Sequence, residues 1–337
     1  MRVGLFGMCA AYWPRALGQA VRKSGAELVA AAHLGDDPEL IEKLINASPE
    51  DFAAQMGLAL YEDPVEMIRE EGLEAVCISG PHSKLVEYCE AAAGEGCHFY
   101  VAKPMCTTPE AADRIVAVAR ENGVVATSGM TERFDSALAE AHRLVSEGAI
   151  GKVLSVRALH QHGHYTFHPD DWWGDPEQGG AELSLVWYAY DCARWFVGSE
   201  AARVCAEYEN FVSPQSPFMD NGKVLVRFEG GQLGSLDIYF SVDFPFPRWE
   251  IEVMGSEGAL RTSQDAYEGT LFVADGPRRF SRDQNDLLAA EVGDWLGAAE
   301  EGRDPLVTIE DARQVMALCF AARTAAHEHR VVSLAGA

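Results

Sequence analysis

No apolar run in the 337-residue sequence approaches the roughly 20 residues that cross a bilayer. The opening MRVGLFGMCAAYW lacks the charged start, long apolar stretch and small-residue cleavage site of an export signal. Basic residues are scarce: 27 Lys and Arg against 52 Asp and Glu leave a formal charge of -25, which repels phosphate backbones and anionic membrane surfaces. Neither nucleic acid nor a membrane is expected as a partner, and the acidity reads as a source of solubility. The eight cysteines (Cys9, Cys77, Cys89, Cys97, Cys106, Cys192, Cys205 and Cys319) show no C-x-x-C spacing, and several lie in apolar runs. They read as reduced core thiols rather than disulfides or zinc ligands, which makes a cytoplasmic location the expectation.

What is present is apolar material, 48% of residues, over a length that favours two domains. The first 125 or so positions alternate short apolar runs with amphipathic segments, the pattern of strand-helix units around a parallel sheet. Strands are predicted at RVGLFG, ELVAAAHL, AVCISG, HFYVAK and VVATSG, with the short LALYED segment between helical stretches. Helices are predicted over 14–24, 37–55, 64–71, 86–95 and 109–122, giving a doubly wound sheet. Beyond a helix at 136–147, strands dominate. KVLSVRALHQHGHY, ARVCAEYENF, KVLVRFEG, GQLGSLDIYFSV, RWEIEVMG, GALRTSQ and GTLFVAD alternate with period two, which predicts an open, mainly antiparallel sheet. Two further helices, 283–301 and 309–329, finish the chain. The predicted domains are 1–128 and 129–337.

A strand, a glycine turn and a helix N-terminus at the start of the chain form the frame of a dinucleotide site. Gly7 is placed for the turn, but the G-x-G-x-x-G fingerprint would need glycine where Cys9 and Tyr12 stand, so pyrophosphate approach is predicted to be crowded. After the second strand, where an acid meets the adenosine ribose in NAD-selective sites, stands His33, with Asp36 and Asp37 slightly later. No arginine is near, so neither NAD nor NADP is selected. The candidate cofactor contacts are Gly7, Met8, Cys9, Ala10, His33, Gly80, Pro81 and Lys103.

Ala102-Lys103-Pro104, between a strand and a helix, resembles the Glu-Lys-Pro motif of the Gfo/Idh/MocA oxidoreductases. The resemblance continues through residues 129–135 (GMTERFD), 146–153 (SEGAIGKV), 175–181 (DPEQGGA), Asp191, Arg194-Trp195, 251–260 and the last two helices. It implies a Rossmann domain followed by an α/β domain with an open sheet, NAD or NADP as cofactor, a sugar, cyclitol or other polyol substrate, and a homo-oligomer, dimer or tetramer, packed through that sheet. The chain also departs from the family. Ala102 replaces the motif's glutamate, and Ser184 and Tyr188 stand where an aspartate and a histidine are usual.

Removing hydride from a carbinol requires a base for the hydroxyl proton. Lys103 and Tyr188 are the candidate catalytic pair, because an ammonium near a phenol favours the phenolate. Ser184, four residues before Tyr188 on the expected helix, shares its face and is read as a hydroxyl binder. Asp191 and Arg194 are expected to form a structural pair. His160, His162 and His164 alternate on a predicted strand, followed by His168, Asp170, Asp171 and Trp172-Trp173. These residues suit a polyol-binding wall, a metal site or a plain surface; no metal is assigned. The candidate substrate contacts are Arg133, His162, Trp172, Ser184 and Tyr188. Three functions fit: an NAD(P)-dependent oxidoreductase of hydroxyl or keto groups, a redox-neutral lyase, hydrolase or epimerase with a retained cofactor, and a non-catalytic binding homologue.

Overall fold

A computed structural model describes residues 1–10, 12–162, 175–241, 249–263 and 267–334. The chain divides into two compact units, 1–131 with 286–313 and 132–285 with 314–337.

The first unit holds a six-stranded sheet in the order β3-β2-β1-β4-β5-β6, with every pairing parallel. Its strands are β1 (Arg2–Phe6), β2 (Glu27–Ala32), β3 (Ala59–Tyr61), β4 (Ala75–Ile78), β5 (His98–Val101) and β6 (Ala126–Ser128). This is the doubly wound order, whose switch point lies between β1 and β4. The helices are α1 (Trp13–Lys23), α2 (Pro38–Ile45), α3 (Pro49–Met56), α4 (Pro64–Glu71), α5 (Leu85–Gly94) and α6 (Pro109–Asn122).

Four of these helices begin alike. Asp37, Ser48, Asp63 and Thr108 accept hydrogen bonds from amides of the first turn, and a proline follows each where no amide is needed. One such start divides the single helical stretch predicted over 37–55. Asn46 turns left-handed (φ 55°), and Ser48-Pro49 opens a second helix.

The second unit contains α7 (Ser136–Ser146), β7 (Val153–Gln161), α8 (Gly180–Ser184), α9 (Trp187–Val197), β8 (Ala201–Glu209), β9 (Asn221–Phe228) and β10 (Leu233–Tyr239). It continues with β11 (Trp249–Gly255), β12 (Gly258–Ser263), β13 (Glu268–Val273), β14 (Gly276–Ser281) and β15 (Val332–Ser333). Among the described residues nine strands form one sheet, β14-β13-β12-β11-β7-β10-β9-β8-β15, antiparallel except where β10 runs parallel to β7. The strand β14 was not expected from the sequence. Its Arg278 and Arg279 break the apolar alternation, which an edge strand tolerates.

The predicted division at residue 128 differs from the structure at the C-terminal end. Residues 286–313, including α10 (Leu287–Glu301) and the start of α11 (Ile309–Glu328), fold with the first unit. There α10 packs on α1, Trp295 Nε1 donates to the Val125 carbonyl at 3.2 Å, and Thr127 Oγ1 donates to the Val307 carbonyl at 2.7 Å. Among the described residues no helix is long and apolar enough to cross a membrane.

Candidate functional site

In the first unit β1 is followed by Gly7, whose amide donates to the Ala32 carbonyl on one side. On the other side Ser79 sends its amide to Phe6 and its hydroxyl to the Gly7 carbonyl. Gly7 has φ 83°, and a Cβ there would lie 1.7 Å from the Ser79 carbonyl oxygen, so only glycine fits.

Met8, Cys9 and Ala10 are buried, whereas Tyr12 is 63% exposed and lies edge-on to Trp13. The crowding predicted at the two lost glycines is therefore resolved in opposite directions: Cys9 turns into the core and Tyr12 into solvent. No side chain caps α1 and no acid stands in its first turn, which leaves its positive end able to meet a pyrophosphate.

Beyond β2, Leu34 and Gly35 take left-handed conformations (φ 61° and 67°), and the Asp36 amide closes the turn onto the His33 carbonyl. The buried Asp36 carboxylate receives Lys84 Nζ at 3.1 Å, while its Oδ2, like His33 Nδ1, is buried without a hydrogen-bond partner. Burial raises the Asp36 pKa, and the Lys84 ammonium opposes that rise. Gly80 (φ 151°) and Pro81 follow β4 and lead into the short 3-10 turn His82–Lys84. The residues present fit a dinucleotide: a glycine turn with no room for a Cβ, an uncapped helix start, and two orphaned polar atoms beyond β2.

Lys103 lies beyond β5 and is half-buried, after an Ala102 whose amide bonds the Ile78 carbonyl. Its stem passes Gly129, where an added Cβ would lie 3.6 Å from Lys103 Cγ and 2.8 Å from Tyr100 Oη.

In the second unit Tyr188 occupies the first turn of α9. The sequence predicts one helix carrying Ser184 and Tyr188 on a common face, but the structure has two. Ser184 ends α8, and at Val186 the backbone bond returns five residues, to Ala181. The i,i+4 argument therefore does not carry over. Ser184 is buried, and Gly180 starts α8 so tightly against Phe218 that a Cβ would meet the ring at 2.3 Å.

Tyr188 stands in a group of rings. His160 stacks on Trp249 at 3.9 Å and 13°, Tyr188 meets His160 and Trp249 edge-on at 5.8 and 5.2 Å, and Phe240 meets His160 at 5.6 Å. The His162 ring lies 6.4 Å from that of His160. Sequence reasoning missed Trp249, although β11 opposite β7 pairs it directly with His160. Trp172, His164, His168, Asp170 and Asp171 lie outside the described residues. Among the described residues no group of three or more His, Cys, Asp or Glu is arranged to hold a metal ion.

Arg133 is buried and forks onto Asp191 at 2.6–3.1 Å, and Arg194 grips Glu200 at 2.6 and 2.7 Å. The Asp191 partner expected from the sequence was Arg194; its fork comes from Arg133.

Residues 1–130 match the family model described as "Oxidoreductase family, NAD-binding Rossmann fold", and residues 138–261 match that of the GFO/IDH/MocA C-terminal domain. The chain is 26% identical over 297 residues to a myo-inositol 2-dehydrogenase of Thermotoga maritima, covering 81% of this chain and 84% of the relative. It is 26% identical over 279 residues to a scyllo-inositol 2-dehydrogenase (NAD(+)) of Bacillus subtilis, covering 78% of each. The solved structure of a levoglucosan dehydrogenase complexed with NADH and levoglucosan has the same fold. Its TM-score is 0.86 at 21% identity over 99% of both chains.

Proposed function

The chain belongs to the GFO/IDH/MocA oxidoreductases and carries their NAD-binding Rossmann domain, and from that premise we propose that it oxidises or reduces a hydroxyl or keto carbon of a cyclitol, sugar or anhydrosugar. One observation carries the assignment of Tyr188: between Ala181 and Ala193 every residue is buried except this tyrosine, so its ring is packed while its position stays open.

When bound, the nicotinamide supplies the hydride acceptor or donor. Gly7 to Ala10 and the start of α1 would hold the pyrophosphate, with Gly80 and Pro81 as further candidate contacts. His33 and Asp36 stand at the ribose end, where a carboxylate favours a ribose hydroxyl over a 2'-phosphate and hence NAD over NADP. Lys103 and Tyr188 are the candidates for the acid/base work on the substrate oxygen, and His162 is the candidate contact to another of its hydroxyls. Arg133, engaged by Asp191, holds α9 in place. Assembly as a homo-oligomer through the open sheet face, which exposes Leu225 and Leu233, and a cytoplasmic location complete the proposal.

The test is turnover of a panel of inositols, aldoses and anhydrosugars, followed by nicotinamide absorbance and by product analysis. On the best substrate Tyr188→Phe is expected to lower kcat by roughly 10²-fold or more with NADH affinity unchanged, and Lys103→Met to do similar damage. In the double variant the loss should be much smaller than the product of the two. Near-normal turnover by Tyr188→Phe would return that residue to the aromatic core. Product formation without net cofactor reduction would replace the dehydrogenase assignment with a redox-neutral one.

A further inference from the structure

Helix α10 presents an apolar stripe of Leu288, Val292, Trp295 and Leu296, and Glu291 lies within it at 1% exposure. A carboxylate in such a place must be matched by donors, and an aliphatic residue would fill the space without that requirement. Both of its oxygens are used. Tyr100 Oη donates to Oε2 at 2.9 Å, and the Met130 amide donates to Oε1 at 2.7 Å.

These donors come from neighbouring strands. Tyr100 is on β5 three residues before Lys103, and Met130 follows β6, which pairs with β5 through Val101 and Ser128. Between them lies Gly129, whose missing Cβ would meet both Tyr100 Oη and the Lys103 stem. A single carboxylate thus ties together the two strand ends that bracket the lysine.

We propose that Glu291 is a positioning residue for Lys103: by fixing Tyr100 and the Gly129-Met130 backbone, it holds the lysine stem so that the ammonium is presented in one geometry. A lysine side chain has four rotatable bonds, and a flexible chain restrained near its base loses much of its freedom at the tip. Small displacements of a reacting group cost rate out of proportion to their size. The importance of this for turnover rests on the catalytic role proposed for Lys103, but the restraint itself does not.

The experiment has one arm that needs no turnover. Lysines are reductively methylated with isotope-labelled methyl groups, and the Lys103 resonance, assigned by its loss in Lys103→Met, is followed in Glu291→Leu and Tyr100→Phe. The expected result is a dispersed resonance in the wild type that moves toward those of exposed lysines in both variants. In Glu291→Gln it stays near its wild-type position, because the amide can accept from Met130 and donate to the Tyr100 hydroxyl. In kinetics, Glu291→Leu should lower kcat by about 10-fold or more with NADH affinity within about twofold, and Gln should restore most of it.

If the Lys103 resonance is unmoved in a folded Glu291→Leu protein, the proposal is overturned. Should that variant fail to fold, Tyr100→Phe, which loses one hydroxyl, decides in the same way. A moved resonance together with an unimpaired Lys103→Met enzyme would leave the positioning intact and remove only the catalytic role of the lysine.

Discussion

At the end of β1 the first unit shapes its candidate site with backbone: Gly7 is enclosed by Ala32, Phe6 and Ser79. Cys9 and Tyr12 replace two fingerprint glycines there because one points inward and the other outward. Around Tyr188 the second unit does the reverse. Rings of His160, Trp249 and Phe240, from three different strands or their ends, make the surroundings, and the backbone supplies only the register that brings them together. A site bounded by backbone should be intolerant of one added carbon, whereas a site bounded by rings should be graded in its response.

The largest effect is expected at the backbone site. Gly7→Ala combines a positive φ with a carbon driven against an immobile carbonyl, and should cost about 4 kcal/mol or more, read by calorimetric melting together with loss of NADH binding. An alanine variant with near-normal melting and NADH affinity would break the comparison. Trp249→Ala removes a buried indole and should cost about 3 kcal/mol. Trp249→Phe should cost less, and the fall in kcat across the series should follow the ring lost. Equal damage from Phe and Ala would mean that the ring site is as unforgiving as the glycine turn.

A smaller change is expected beyond β2. Asp36→Asn keeps the shape and removes the charge, and should narrow the preference for NADH over NADPH by about tenfold in direct titration. If the wild type binds NADPH more tightly, Lys84 rather than Asp36 governs that end of the site.

The smallest effect belongs to the surface of the second unit. Arg143, with Arg282 beside it, holds the Glu140 carboxyl down to about 2. A carboxylate whose folded pKa is depressed adds stability above its ordinary titration range. That contribution fades as pH falls from about 4.5 toward 2. Glu140→Gln should therefore differ from wild type near neutrality and converge with it in acid. The shift in acid midpoint should be about half a pH unit or less, since exposed ion pairs contribute little.

Much of the fold was legible because its signals are local. Amphipathic runs mark the helical stretches of the first unit, and period-two runs mark β8 through β13. At Asn46-Ala47-Ser48-Pro49 a left-handed residue and a capping serine before proline divide what the periodicity joins into one stretch over 37–55. For the site, Gly7, Lys103 and Tyr188 stood out by motif or resemblance. Glu291 carried a weaker signal, an acid on an otherwise apolar helical stripe, which declares that a partner exists without naming it. Trp249 carried none, since a strand tryptophan reads as core.

What the sequence by itself determined is whatever depends on neighbours in the chain: the two sheet types, the helix caps, and the turn at Gly7. Tertiary structure alone decided that 286–313 belongs with the first unit, that Asp191 receives Arg133, that Glu291 joins β5 to β6, and that Trp249 lies on His160. Each of these joins residues 58 to 191 positions apart along the chain, or places a segment beside strands far from it in sequence. The physical reason is that periodicity and capping are set within a turn or two of backbone. Partners for a buried charge or ring are chosen only when distant segments pack and exclude water between them.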